Sequence, residues 1–207
     1  MSDVTRSMEA TAPDPTATVE RMRRSMPSGW VGAILLVASE ACLFGSLIAS
    51  YFYLRFDASS WPPDGTPAPS VVLPLAFTAM LVATCVPIYL GVRAARVGAV
   101  RTAWWLIFLA TGVQATYLGL QIWLFVEELA KFTPRSSAYG SNYYALLGVH
   151  HTHVAVGLAL GLWVLAKLFG GRLTNYRLNA VRILGLYWYF VSAMAILVVI
   201  TQLWPSL

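Results

Sequence analysis

One carboxylic acid, Glu40, lies deep inside a long apolar stretch of this chain, and the three histidines, His150, His151 and His153, crowd into another. An ionisable residue is expensive to place in apolar surroundings and is a functional hypothesis by default. Glu40 has two readings: an acid hydrogen-bonded inside a helix bundle to steady its packing, or a proton-responsive acid facing a polar path. The histidines raise metal and haem chemistry. A bis-histidine haem needs ligands from two segments, and no other segment carries a histidine. Zinc needs a third and fourth ligand beyond His150 and His153. The two cysteines, Cys42 and Cys85, sit in apolar runs, where cysteine packs as a small hydrophobe. The histidines are therefore expected to be structural, with no metal held by this chain. A weaker polar stripe, Thr111, Gln114, Leu118 and Gln121, runs at near-heptad spacing, and its glutamines are expected to hydrogen-bond between helices. There is no phosphate-binding loop, dinucleotide fingerprint, catalytic-triad spacing or Cys-x-x-Cys, so no catalytic residue is assigned.

The elements that must position these residues follow from composition. Of 207 residues, 58% are apolar and 11% charged, and the mean hydropathy is +0.65. Ordinary soluble domains are about 45–50% apolar and about 25% charged. A soluble enzyme, a disordered chain and a disulfide scaffold are all excluded, which leaves an all-α integral membrane protein. A spanning helix needs about 20 apolar residues. Five stretches reach that length: Gly29–Tyr53, Val71–Val92, Ala103–Leu129, Tyr144–Leu168 and Val181–Trp204. The connectors carry turn residues, such as Trp61-Pro62-Pro63-Asp64-Gly65, and none has room for a soluble domain. Residues 1–28 are polar and proline-containing and read as a disordered tail; residues 29–207 read as one five-helix transmembrane domain.

Charge sets the orientation. Eleven of the fourteen Lys and Arg residues lie on one side: Arg6, Arg21, Arg23 and Arg24 in the tail, Arg93, Arg96 and Arg101 in the second connector, and Lys167, Arg172, Arg177 and Arg182 around the fourth. Only Arg55, Lys131 and Arg135 lie on the other side. Positive charge is retained in the cytoplasm, so the N-terminus is expected inside and the C-terminus outside. The net charge of +5 is split into short clusters at span ends rather than a continuous basic face, so no nucleic-acid partner is expected.

Helical geometry then places the polar residues. Glu40 is eleven residues past Gly29, about 16 Å into a core about 30 Å thick. His150 and His153 are about 60° apart on one helix face, continued by Gly157 and Gly161, a Gly-x-x-x-Gly pair that lets another helix approach. Glu40 and the His150/His153 face are thus expected to form one buried polar cluster near the midplane.

Two motifs are similar to those of the haem-copper oxidase subunit III family. Ser39-Glu40-Ala41-Cys42-Leu43-Phe44-Gly45 followed by Tyr51-Phe52 resembles its Ser-Glu-x-x-x-Phe segment. Tyr139-Gly140-Ser141 followed by Gly148-Val149-His150-His151-Thr152-His153-Val154 and Gly157 resembles its Tyr-Gly-Ser and Gly-x-His-x-x-His-Val-x-x-Gly signature. Where the family's last helix usually carries Tyr-Trp-His-Phe-Val-Asp, this chain reads Tyr187-Trp188-Tyr189-Phe190-Val191-Ser192, so Tyr189 and Ser192 stand for a His and an Asp.

The resemblance implies a metal-free accessory subunit of a bacterial plasma-membrane terminal oxidase. Haem and copper would belong to partner subunits, subunit I would be the main contact with subunit II nearby, and phospholipid would be bound. It also implies a part in sustaining proton uptake, with Glu40 matching the family's membrane acid and His150 and His153 its paired histidines. The alternatives are the subunit-III-like protein of a quinol oxidase or nitric oxide reductase, a small transporter using Glu40 with Gln114 and Gln121, and a membrane cytochrome.

Overall fold

The computed structural model describes residues 28–63, 66, 71–170 and 175–203, and every regular element among them is helical. The expected tail, except for Ser28, which begins the first helix, and Trp204 lie outside the described residues. In hydrocarbon no water completes a backbone hydrogen bond, so each crossing segment must satisfy its own N–H and C=O groups as a helix. The elements are α1 (Ser28–Asp57), α2 (Val72–Ala83), α3 (Cys85–Arg96), α4 (Val100–Leu129), α5 (Ala138–Phe169) and α6 (Asn175–Leu203). They give five helical stretches long and apolar enough to cross a membrane, because α2 and α3 together make one span, Val72–Arg96. The protein is therefore a multi-pass, all-helical membrane protein.

Several boundaries differ from the sequence expectation, the last helix starting at Asn175 rather than Val181, and two of the differences have identifiable reasons. The second span breaks at Thr84, three residues before Pro87. Proline has no N–H to donate to the carbonyl of Ala83, and its ring crowds that carbonyl. Thr84 takes up the disruption by turning its own hydroxyl and N–H onto the Leu81 carbonyl, at 2.6 and 3.0 Å. The fourth span starts at Ala138 rather than Tyr144. Ser137 is extended and its side chain accepts the Gly140 N–H at 3.1 Å, an N-cap that starts the helix outside the apolar run. Gly140 is required there: a Cβ would lie 2.6 Å from the Thr133 carbonyl oxygen, where the preceding loop crosses the helix. The Tyr-Gly-Ser motif is thus a closure of the connector onto α5, completed by the Ser141 hydroxyl donating to the Pro134 carbonyl.

The last helix is the centre of the bundle. α6 packs against α1, α2, α3 and α5, and its Trp188 is fully buried. α1, by contrast, touches only α5 and α6 and turns Leu35, Leu36, Leu43 and Tyr53 outward. At the end opposite the arginine-rich connectors, Tyr51, Trp61, Phe132, Tyr139, Tyr143 and Tyr144 close the bundle as one aromatic cluster, pinned by the Trp61 indole donating to the Tyr51 hydroxyl at 3.0 Å.

Candidate functional site

Glu40 sits on the face of α1 that meets α5, and there its Oε2 lies 2.9 Å from His153 Nε2. The other ring nitrogen, Nδ1, is 2.7 Å from the Val149 carbonyl oxygen one turn back. A carbonyl only accepts, so Nδ1 carries a hydrogen. The 2.9 Å contact then holds one proton between ring and carboxyl, as neutral imidazole with carboxylic acid or as imidazolium with carboxylate. Either arrangement is net neutral, which is what a low-dielectric position tolerates. The pair is not sealed within this chain: the side chains of His153 and Glu40 keep 13% and 25% of their accessible surface. Phe44 stacks at a tilt against the imidazole, 5.1 Å between ring centres, and the Tyr187 hydroxyl donates to the His153 carbonyl, tying α6 to the same point.

His150 does not join this pair. It is 2% exposed, and its Nε2 lies 3.2 Å from the Tyr117 hydroxyl of α4. The Gln121 side chain donates to that same hydroxyl at 3.2 Å. His150 and His153 are three residues apart on α5, yet α1 and α4 both pack on that helix, so His153 meets Glu40 of α1 and His150 meets Tyr117 of α4. His151 packs its ring on Phe125. The three histidines therefore face three different partners, and among the described residues no group of three His, Cys, Asp or Glu is placed to hold a metal ion.

The glutamine stripe is buried, but only Gln114 bonds directly across helices, donating to the Thr84 hydroxyl at 3.0 Å. Gln121 bonds within its own helix and reaches α5 only through Tyr117. α1 does not touch α4, and among the described residues no hydrogen bond joins Glu40 to either glutamine. The two glycines also serve different neighbours: a Cβ on Gly157 would lie 2.8 Å from Trp188 of α6, and one on Gly161 would lie 2.9 Å from the Thr111 hydroxyl of α4. Of the positions that depart from the family pattern, Ser192 is buried and accepts from the Cys85 thiol at 3.3 Å, while Tyr189 is 38% exposed.

Sequence reasoning missed a second carboxyl. Of the two acids ending α4, Glu127 pairs with Lys131 at 3.6 Å on the surface. Glu128 instead is 6% exposed and accepts from the Tyr143 hydroxyl at 2.7 Å. It sits one turn beyond Leu124 and two beyond Gln121 on the same buried face. That stripe also explains Tyr117, which is three residues past Gln114 and four before Gln121. Tyr143→Phe is expected to cost about 1 kcal/mol of bundle stability by leaving a buried carboxyl without its donor, whereas Glu128→Gln, which keeps an acceptor, costs less. Melting of the purified protein in detergent checks this; equal losses in the two variants contradict it.

Comparison with known proteins adds an independent line. The family model described as "Cytochrome c oxidase subunit III" matches residues 19–206. The chain is 33% identical over 166 residues to the probable cytochrome c oxidase subunit 3 of Nocardia farcinica, covering 78% of this chain and 80% of that protein. It is 28% identical to the cytochrome c oxidase subunit 3 of Thermostichus vulcanus, covering 81% and 82% of the two chains. Identity is also 28% to the subunit 3 of Bacillus sp. strain PS3, with 88% and 86% covered.

Proposed function

This chain belongs to the cytochrome c oxidase subunit III family, and from that premise we propose how it serves the complex. It is an accessory subunit of an oxidase of the aerobic respiratory chain, associated with other oxidase subunits in the membrane. Our reading adds that the chain holds no catalytic centre of its own and that haem and copper belong to its partners. It docks mainly on subunit I, near subunit II, in a bacterial plasma membrane with bound phospholipid. The working part is the helical domain.

The observation that carries this reading is the convergence of the two family motifs. Ser39-Glu40 and the histidine segment are more than a hundred positions apart, yet Glu40 and His153 meet in one hydrogen bond of 2.9 Å. That single-proton pair, partly open at the side of the bundle, is the group through which the subunit supports proton uptake. His150, Gln114 and Gln121 hold the interior together, and Gly157 and Gly161 set the spacing of α5 to its neighbours. A transporter using Glu40 with the glutamines would need these groups on one path, and they lie on helices that do not touch.

The test is a mild-detergent pull-down of the tagged chain from its own membranes, with a reduced-minus-oxidised spectrum of the eluate. Large haem-bearing subunits should accompany it, and the peak positions name their haem types. A chain that elutes alone and colourless overturns the reading and sends the question to transport assays.

A further inference from the structure

α2, α4, α5 and α6 form a square in which each helix packs on the next, while the diagonal pairs, α2 with α5 and α4 with α6, do not touch. Side chains fill the axis of such a square. Toward the end away from the arginine-rich connectors they leave a small cavity, of about 20 Å³. Tyr117, Gln121, Glu128, Tyr143, His150 and Gln202 are among the side chains that line it.

Two hydrogen-bonded groups face each other along this wall. In the outer one, the Tyr143 hydroxyl donates to Glu128 at 2.7 Å. In the inner one, the Tyr117 hydroxyl accepts the Gln121 amide and lies 3.2 Å from His150 Nε2. The inner group does not close on itself. If the Tyr117 hydroxyl donates to Nε2, the imidazole hydrogen sits on Nδ1 and needs an acceptor. If Nε2 donates instead, the hydroxyl hydrogen needs an acceptor and Nδ1 is bare. Whichever nitrogen carries the hydrogen, one polar site is left over. Nδ1 is shielded from solvent with no hydrogen-bond partner, and His150 as a whole is 2% exposed. Buried polar atoms rarely stay in that state; they find a protein partner or a water.

Among the described residues no hydrogen bond joins the two groups: Gln121 and Glu128 stand seven residues apart, about 10 Å along α4, with Leu124 between them on the same buried face. We propose that the cavity is a hydration site, holding one buried water that bridges the Glu128–Tyr143 pair to the Tyr117–His150 pair. Its volume exceeds the about 10–15 Å³ that one water needs and is far below the about 300 Å³ at which organic-ligand pockets begin. Apolar cavities stay dry, whereas a buried water uses about three polar partners. This cavity offers a carboxyl, two amides, two phenols and an imidazole. Water is favoured over a cation because Glu128 is the only acid among the described lining residues. The water turns two separate pairs into one hydrogen-bonded chain that ties α4 to α5 from Glu128 down to His150, and that chain includes neither Glu40 nor His153.

The test uses the full tagged chain, purified in mild detergent with whatever subunits accompany it. A cryo-electron-microscopy map at about 2 Å resolution should show a single peak in the cavity, about 2.5–3.2 Å from polar atoms of both pairs. Ala195, on the α6 wall of the cavity, supplies a second readout. Ala195→Val and Ala195→Thr add nearly the same volume and expel the water, but only the threonine hydroxyl stands in for its hydrogen bonds. After heating, the tagged chain that stays soluble should give Ala195→Thr a midpoint about 3–6 °C above that of Ala195→Val. The proposal is overturned by a cavity without a peak, or by a peak ringed by six or more oxygens at about 2.3–2.6 Å, which marks a bound cation such as calcium. Equal midpoints for the two variants also overturn it, since a dry cavity gains nothing from a hydroxyl. If neither variant assembles, the map of the unaltered chain decides alone.

Discussion

Gly157→Ala is expected to destabilise the bundle by about 1–3 kcal/mol, the cost of forcing extra volume into a filled core, while Gly148→Ala on the same helix costs nothing measurable. A Cβ on Gly157 would stand 2.8 Å from the Trp188 indole and 3.1 Å from two further ring atoms. Trp188 is fully buried at the centre of the bundle, so its ring has nowhere to withdraw without displacing α6. A Cβ on Gly148 meets nothing within 4 Å, and alanine is the better helix former by about 0.5–1 kcal/mol. Trp188→Phe should recover part of the loss, because the smaller ring clears the added methyl; the double variant should then be more stable than the two single losses sum to. Yield of assembled complex and its melting midpoint in detergent are the readouts. Matching behaviour of Gly157→Ala and Gly148→Ala would show that the α5–α6 contact is loose and that the glycine is incidental.

Glu40 gives the second large effect, and here the direction depends on the substitute. In Glu40→Gln the side-chain amide donates to His153 Nε2, while Nδ1 keeps its bond to the Val149 carbonyl, so assembly is retained. Glu40→Leu leaves that ring nitrogen without a partner in an apolar setting, at about 1–3 kcal/mol, and loosens α1, which touches only α5 and α6. The amide has no proton to exchange with the ring, so Glu40→Gln is expected to alter sustained turnover or its pH dependence while the complex stays whole. Equal loss of complex in both variants contradicts the hydrogen-bond account. An unchanged pH profile in Glu40→Gln removes the proton role and leaves the pair as a clamp between α1 and α5.

Much of this was legible in the chain itself. The five spans follow from apolar length, because hydrocarbon thickness leaves helices no choice of size, and the cost of burying an acid singled out Glu40 before any partner was known. Boundaries were legible only where an apolar run coincided with the helix. At Ala138 the N-cap of Ser137 and the crossing loop at Gly140 decided the start, and neither is an apolar signal. At Thr84 the break came from Pro87, a signal present in the sequence, because a proline there leaves the Ala83 carbonyl without its helical donor.

The sequence by itself determined the crossing segments, the asymmetry of Lys and Arg between the two ends, and the polar faces of α4 and α5. Only the tertiary structure decided which neighbour each face meets: Glu40 takes His153 and not His150, Gly157 meets α6 while Gly161 meets α4, and Glu128 turns inward to Tyr143. The physical reason is that periodicity fixes an angle around one helix axis, whereas a hydrogen bond or a steric contact depends on the position of a second axis. That position is set by the packing of all the helices together.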